Sequence, residues 1–398
     1  MTQKLYYFDA YMSEFSANVI SCDATEKGFA VVLDKTAFFP EGGGQPADTG
    51  FINSASVIDV QEVDGVIYHY CSEEFEAGEN VGCSIDFDRR FLNMQLHSGE
   101  HVFSGYIHQL TGFDNVGFHM GESAVTVDFN GVVTPEVLSR AERLANEAVW
   151  NNLEIETIYP SEEELEEYDY RSKKEIDGQV RLVSIEDVDL CACCGTHVRY
   201  TGEIGMIKAV SMQNYKNGVR ITLHAGARAL ENYDAINKSI RAAGALLAAK
   251  PSEVPAGVEH LLEKLDMQKA VITDLRLKLN AVKCEKIEPG TPYYLEIIAG
   301  GDAKEAQKLC DMICEKALVG AVFGESDEGV KYCIASRETD VRPIGEALNR
   351  ALDGRGGGRA EMVQGSLPCN IEKAKSAWDK ITSLPENPQA SVPTTPAE

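Results

Sequence analysis

The sequence predicts an α+β protein of several domains. A small β-barrel is expected over residues 1–88, a mixed α/β domain over 89–226 and a helical arm over 227–286. A C-terminal α/β domain over 287–375 and a disordered tail over 376–398 follow. Three observations carry this. Up to residue 88, short apolar runs (FAVVLD, SVIDVQEV, GVIYHY) are parted by Gly, Asp and Asn turns, the signature of a barrel or sandwich. From 88 to 112 the apolar residues Phe91, Met94, Leu96, Val102, Phe103, Ile107 and Leu110 recur at helical spacing, closed by Thr111-Gly112. Past residue 290, strand and helix patterns alternate, as in a small layered domain.

The elements between follow from local chemistry. ESAVTVDFNG reads as strand, and Thr134-Pro135 supplies an N-cap and a first-turn proline for a helix to Asn151. IETIYP and VRLVSI flank an acidic helix at 161–168, and Lys216-Asn217-Gly218 turns a hairpin. In the arm, apolar residues at 258, 261, 265, 272, 275, 279 and 282 form a heptad stripe, suited to packing on its own protein or on a second copy. LPENPQASVPTTPAE has the composition of a disordered end.

The chain of 398 residues is too long for one core, and 44% hydrophobic with 25% charged residues is a soluble, globular composition. No signal peptide or membrane-spanning run is legible, so a cytoplasmic protein is expected. A net charge of −26 argues against a general polyanion binder, since phosphate binding rests on Lys and Arg. The charge is uneven. Residues 154–189 hold thirteen acids and four bases, whereas 228–286 hold ten bases and eight acids. Of eleven cysteines, the cluster CACCGTH reads as a metal half-site; Cys22, Cys71, Cys83, Cys310, Cys314, Cys333 and Cys369 read as packing residues.

His97 and His101 lie four apart on the helix expected at 88–110, so both rings leave one face as a two-point metal clip. HxxxH alone is a weak signal. The turn Cys193-Cys194-Gly195-Thr196-His197 adds a thiolate and a third imidazole, and zinc accepts such a mixture tetrahedrally. Chemistry alone leaves Cys191, Cys193 and Cys194 open as the sulfur ligand.

HSGEH together with CCGTHVRYTGEIG resembles the signature of the editing domain of alanyl-tRNA synthetases. FFPEGGGQPADTG is similar to the glycine-rich segment preceding it, and IGEALNRALDGRGGGRAEMVQGS to the family's C-terminal tRNA-binding domain. Some forty residues precede the glycine-rich segment, where a synthetase carries its aminoacylation domain. The resemblance is thus to the freestanding AlaX editing proteins in their long form. It implies a zinc-containing editing domain at 89–226 and one zinc ion on His97, His101, Cys193 and His197. It further implies hydrolysis of mischarged tRNA(Ala), charged with serine or glycine. The pattern sets the sulfur four before the histidine, which selects Cys193, while Cys194 stands where the family commonly has Gly.

Gln45, with Gly43 and Gly44 beside it, is the expected grip on the substrate, because glycines admit close backbone approach and an amide both donates and accepts. Thr196 suits the serine hydroxyl. Arg355, Gly356, Gly357, Gly358 and Arg359 suit a phosphate-binding loop. Glu100 reads as a solvated helix residue or a base, and His119 as a turn histidine or a cavity residue. Two competing readings remain. HSGEH also fits the HxxEH pattern of inverted zinc peptidases, with Glu100 as base, and a zinc-stabilised tRNA-binding protein would keep the same ligands without turnover. A phosphoesterase would need an Asp-His-His triplet, which the chain lacks.

Overall fold

The computed structural model describes residues 2–121, 124–172, 179–300, 303–326 and 328–383. It divides into two compact units, Met1–Pro251 and Ser252–Glu398.

In the first unit, strands β1 (Glu14–Thr25), β2 (Gly28–Leu33), β3 (Gly50–Ile52), β4 (Ala55–Val63), β5 (Val66–Cys71) and β6 (Asn80–Ile85) close into a barrel in the order β1-β2-β5-β4-β3-β6. Closure comes from β1, whose first half pairs with β6 and whose second half pairs with β2. Alternation sends Val31, Leu33, Ile52, Val60 and Ile67 inward beside Phe38 and Phe39.

Helix α1 (Phe87–Thr111) leaves the barrel. Asp86 caps it by accepting from the Arg89 amide, and Gly112 ends it in the left-handed region at φ 72°. Nearly every residue of α1 from Met94 to Gly105 is buried, because sheet, helix and loops surround it. Strands β7 (Asn115–Met120) and β8 (Val125–Phe129) pair with the hairpin β12 (Ile207–Tyr215) and β13 (Gly218–Ala225) in the order β12-β13-β8-β7. Between them in sequence come α2 (Pro135–Asn151), capped by Thr134, and a meander of β9 (Ile155–Ile158), β10 (Leu182–Ile185) and β11 (Asp189–Ala192). The acidic helix expected at 161–168 is one turn, Glu162–Leu165, held by a Ser161–Glu164 capping box.

The stretch read as one arm is divided. Helix α3 (Gly226–Leu247) belongs to the first unit and α4 (Val254–Glu285) to the second, with Pro251 at the boundary. The second unit adds β14 (Thr291–Ile298), α5 (Ala303–Ile313), β15 (Ala317–Ser326), β16 (Gly329–Ala335), α6 (Arg342–Leu352), β17 (Arg355–Arg359), β18 (Met362–Leu367) and α7 (Ile371–Thr382). Its five strands run β14-β15-β16-β18-β17, with β14 and β15 parallel and the rest antiparallel.

The tail expected at 376–398 needs correction over its first residues. α7 continues to Thr382, with Asn370 capping it and Ala374 and Trp378 buried in the core. Burying an indole outweighs the polar composition around it. The remainder, 384–398, lies outside the described residues. Among the described residues no helix is long and apolar enough to cross a membrane.

Candidate metal centre

Two remote segments meet at one point. His97 and His101 project from the middle of α1, and Cys193 and His197 from the turn after β11. One ligand atom from each lies within 4.8 Å of all the others. Both His97 Nε2 and His197 Nε2 stand 3.4 Å from Cys193 Sγ. His97 and His101 are each 1% exposed and His197 7%, so the donors face each other rather than water.

Each imidazole is anchored through its far nitrogen. Gln45 Oε1 holds His97 Nδ1 at 2.8 Å, Asp189 Oδ2 holds His101 Nδ1 at 3.0 Å, and Ser98 Oγ holds His197 Nδ1 at 3.1 Å. That arrangement fixes ring orientation and leaves Nε2 for the centre. Asp189 is itself held by Arg171 Nε at 2.8 Å. The His97 ring also stacks on Phe118, with centroids 4.9 Å apart.

The electrostatics favour an anionic donor set. Burial pushes the Cys193 thiol up, but the three imidazoles beside it bring it well below its ordinary value. Burial opposes charge on His101, yet Cys193 and Asp189 raise it to about 9. Burial drives His197 down to about 3, so it stays a neutral donor. For Asp189, burial would raise the carboxyl, but His101 and Arg171 hold it below the usual carboxylate range. Three imidazoles and a thiolate suit zinc by chemistry. In a tetrahedral zinc site nitrogen and sulfur ligands stand about 3.6 Å apart, close to the spacing here.

Gly195 explains why the turn contains glycine. A Cβ there would lie 2.1 Å from His97 Cε1 and 3.0 Å from Gln45 Oε1, so any side chain would displace the ring. Cys194 is exposed and outside the cluster, and a Cβ on Gly43 would come 3.0 Å from its sulfur. Gly44, at φ 85°, lies against Phe118.

Gln45 sits beside the centre with three of its four hydrogen-bonding positions used. Besides His97 it accepts from the Thr196 amide at 3.1 Å and donates Nε2 to Thr196 Oγ1 at 2.8 Å, with no exposure. A buried amide tied to His97 and Thr196 is suited to positioning the ligand, and its second Nε2 proton has no partner among the described residues. Thr196 is likewise buried. Glu100 is not solvated: it is 1% exposed, and its Oε1 accepts from Ser104 Oγ at 2.5 Å and from Asn115 Nδ2. His119 is exposed on β7, on the opposite strand face from Phe118.

Arg355-Gly356-Gly357-Gly358-Arg359 is not a loop. It forms the exposed edge strand β17, paired with β18. Its glycines leave room for a neighbour, since a Cβ on Gly356 would meet Tyr332 Oη at 2.6 Å.

Sequence reading missed Asp189, Ser98 and Arg171. An acid before CAC and a serine inside HSGEH carry no periodic signal, and only the fold brings them to the imidazoles. It also missed the buried pair of Asp48 and Arg90. Arg90 Nε donates to Asp48 at 3.0 Å, Nη1 to Ala10 O at 2.8 Å and Nη2 to Ala37 O at 2.6 Å, which pins the glycine-rich segment to α1.

A family model described as class II (A) tRNA synthetases matches residues 8–89. The threonyl and alanyl tRNA synthetase second additional domain matches 180–241, and the DHHA1 domain matches 290–384. An alanine–tRNA ligase of Halobacterium salinarum is 35% identical over 84% of this chain, which spans 38% of the ligase's length. The alanyl-tRNA editing protein AlaX-L of Pyrococcus horikoshii is 28% identical over 94% of this chain and 96% of its own. The C-Ala domain of Aquifex aeolicus alanyl-tRNA synthetase is 20% identical over 24% of this chain and 96% of its own, with a TM-score of 0.21. All three domain matches fall in order along the chain, and it is similar from end to end to an AlaX-L alanyl-tRNA editing protein.

Proposed function

We propose that the protein is a zinc-dependent aminoacyl-tRNA deacylase, a carboxylic ester hydrolase that clears mischarged tRNA(Ala), Ser-tRNA(Ala) first and Gly-tRNA(Ala) second. The observation that carries this is the set of three anchored imidazoles converging with one thiolate beside the glycine-rich segment. His97, His101, Cys193 and His197 would hold a single Zn2+. When bound, the ion supplies Lewis acidity at the ester carbonyl and promotes ionisation of a nearby water. Gln45, Asp189 and Ser98 keep the imidazoles in place, and their enclosure excludes bulk solvent. Thr196 accepts from Gln45, which leaves its own hydroxyl proton to meet the serine hydroxyl of the substrate. Alanine would leave that polar group unmatched and be rejected. Gly43 and Gly44 let the substrate end approach the backbone.

The proposal includes a cytoplasmic location and tRNA(Ala) as partner, with the edge strand Arg355–Arg359 contributing to the RNA surface. It also keeps the domain borders at 88 and 226, with the arm divided at Pro251 and the C-terminal domain carried through Thr382, and a homodimer formed through α4 or the C-terminal domain.

The four protein ligands favour a second reading, since closed tetrahedral zinc sites are usually structural. That reading is a zinc-stabilised tRNA-binding protein without turnover. One assay separates the two: purified zinc-loaded protein is mixed with Ser-tRNA(Ala), Gly-tRNA(Ala) and Ala-tRNA(Ala), and remaining ester is followed with time. Loss of the serine ester with Ala-tRNA(Ala) spared is expected. Persistence of both mischarged species would overturn the enzyme reading.

A further inference from the structure

Within the second unit a cleft of about 240 Å³ opens between α4 and the first turns of α5. Thr273, Arg276, Leu277 and Asn280 line one wall, and Lys304, Glu305 and Lys308 the other. The spacing follows from the helices: 273, 276, 277 and 280 share one face of α4, and 304 and 308 one face of α5. Among the described residues that line it, one carboxylate faces three cations. It belongs to Glu305, which meets Arg276 Nη1 at 2.7 Å and fixes the guanidinium across the cleft. Lys304 and Lys308 are exposed and make no ion pair among the described residues. Asn280 is 5% exposed, and its side chain makes no hydrogen bond among the described residues, so its amide is directed at the cleft. That amide is not sealed from solvent, so it stands open to an incoming group as a directed donor.

We infer that this cleft is a phosphate site that takes one or two phosphodiester groups of an RNA backbone. The chemistry selects that ligand. Two ammonium groups and a guanidinium supply point charge, and an amide supplies a directed donor. In a chain of net charge −26, cations left unneutralised around one cleft are a local exception. The volume admits a phosphate with part of its ribose but leaves no apolar wall for a base beyond Leu277. The cleft would hold backbone without reading sequence. This inference rests on the tRNA partner proposed above, but it concerns the second unit and none of the residues at the metal centre.

The test is salt-dependent binding of uncharged tRNA(Ala) to the full chain and to the double variant Lys304→Gln/Lys308→Gln. The control Lys373→Gln/Lys375→Gln removes the same charge from exposed positions on α7. Losing two phosphate contacts should lower the slope of log affinity against log salt by about two, and weaken binding at moderate salt by on the order of tenfold. The control should bind as the unaltered chain does. In addition, titration with inorganic phosphate should move the Asn280 side-chain amide resonance in the unaltered chain only. An unchanged slope in the Lys304/Lys308 variant would overturn the inference, as would an equal loss in the control. Because uncharged tRNA is the probe, the site survives if the deacylation assay fails and falls independently if that assay succeeds.

Discussion

Gln45 makes three hydrogen bonds to His97 and Thr196 and has no contact with water, so its removal should act on the metal before it acts on the substrate. Gln45→Ala frees the His97 ring to rotate, and loss of such a partner typically costs 10- to 100-fold in metal affinity. Competition with a chromophoric chelator measures this directly, and unchanged affinity would remove Gln45 from the positioning role. A second residue-scale prediction concerns His69, which is 0% exposed inside the barrel. Its Nδ1 lies 2.9 Å from Val31 O and its Nε2 2.8 Å from Thr36 Oγ1. Burial pushes its pKa from 6.5 down to about 4. Below pH 6.5 the unfolded chain takes up a proton that the folded chain refuses until about pH 4. Folding stability is therefore lost as pH falls through that window, by on the order of 3 kcal/mol. Chemical denaturation from pH 7 to 4 should record the slope, and His69→Gln should flatten it.

At the scale of elements, α4 is the anomaly. Val258, Leu261, Leu265, Ile272, Leu275, Leu279 and Val282 are each 43–58% exposed, so the heptad stripe is not covered by the described residues of the second unit. A stripe of that length is more apolar than a solvated helix tolerates, and its period of 3.5 suits a second copy of itself. Leu265→Lys with Leu275→Lys should halve the mass measured by light scattering. A monomeric unaltered chain would refute the pairing. Helices α1 and α2 were legible because their caps and periods lie within a few residues: Asp86 and Gly112 for α1, Thr134 and Pro135 for α2. Two other elements were misread because their decisive contacts are remote. The strand Arg355–Arg359 looks like a loop until Tyr332 and β18 are placed beside it, and α7 looks polar until Trp378 enters the core.

For the whole molecule, the division at Pro251 has a consequence. All four proposed ligands and the residues that anchor them lie in Met1–Pro251. That fragment should fold and bind one zinc per chain, while losing affinity and salt dependence for tRNA if the second unit holds phosphates. Elemental analysis and tRNA binding measured on the fragment check both halves, and a fragment that folds without metal would contradict the first.

What the sequence determined by itself was local or pattern-borne. The change from strand to helical period near residue 88 is set by side-chain spacing. The joint presence of HSGEH and CCGTH, with the glycine-rich and GRGGGR segments around them, was enough to recognise the family. What only the tertiary structure decided was which groups meet. It put Cys193 rather than Cys194 at the imidazoles, tied Gln45 to His97, buried Glu100, and brought Asp189 to His101 across 88 positions. The physical reason is that a hydrogen bond between remote residues leaves no periodicity in the chain. It exists only once hydrophobic burial has folded the intervening segments into place.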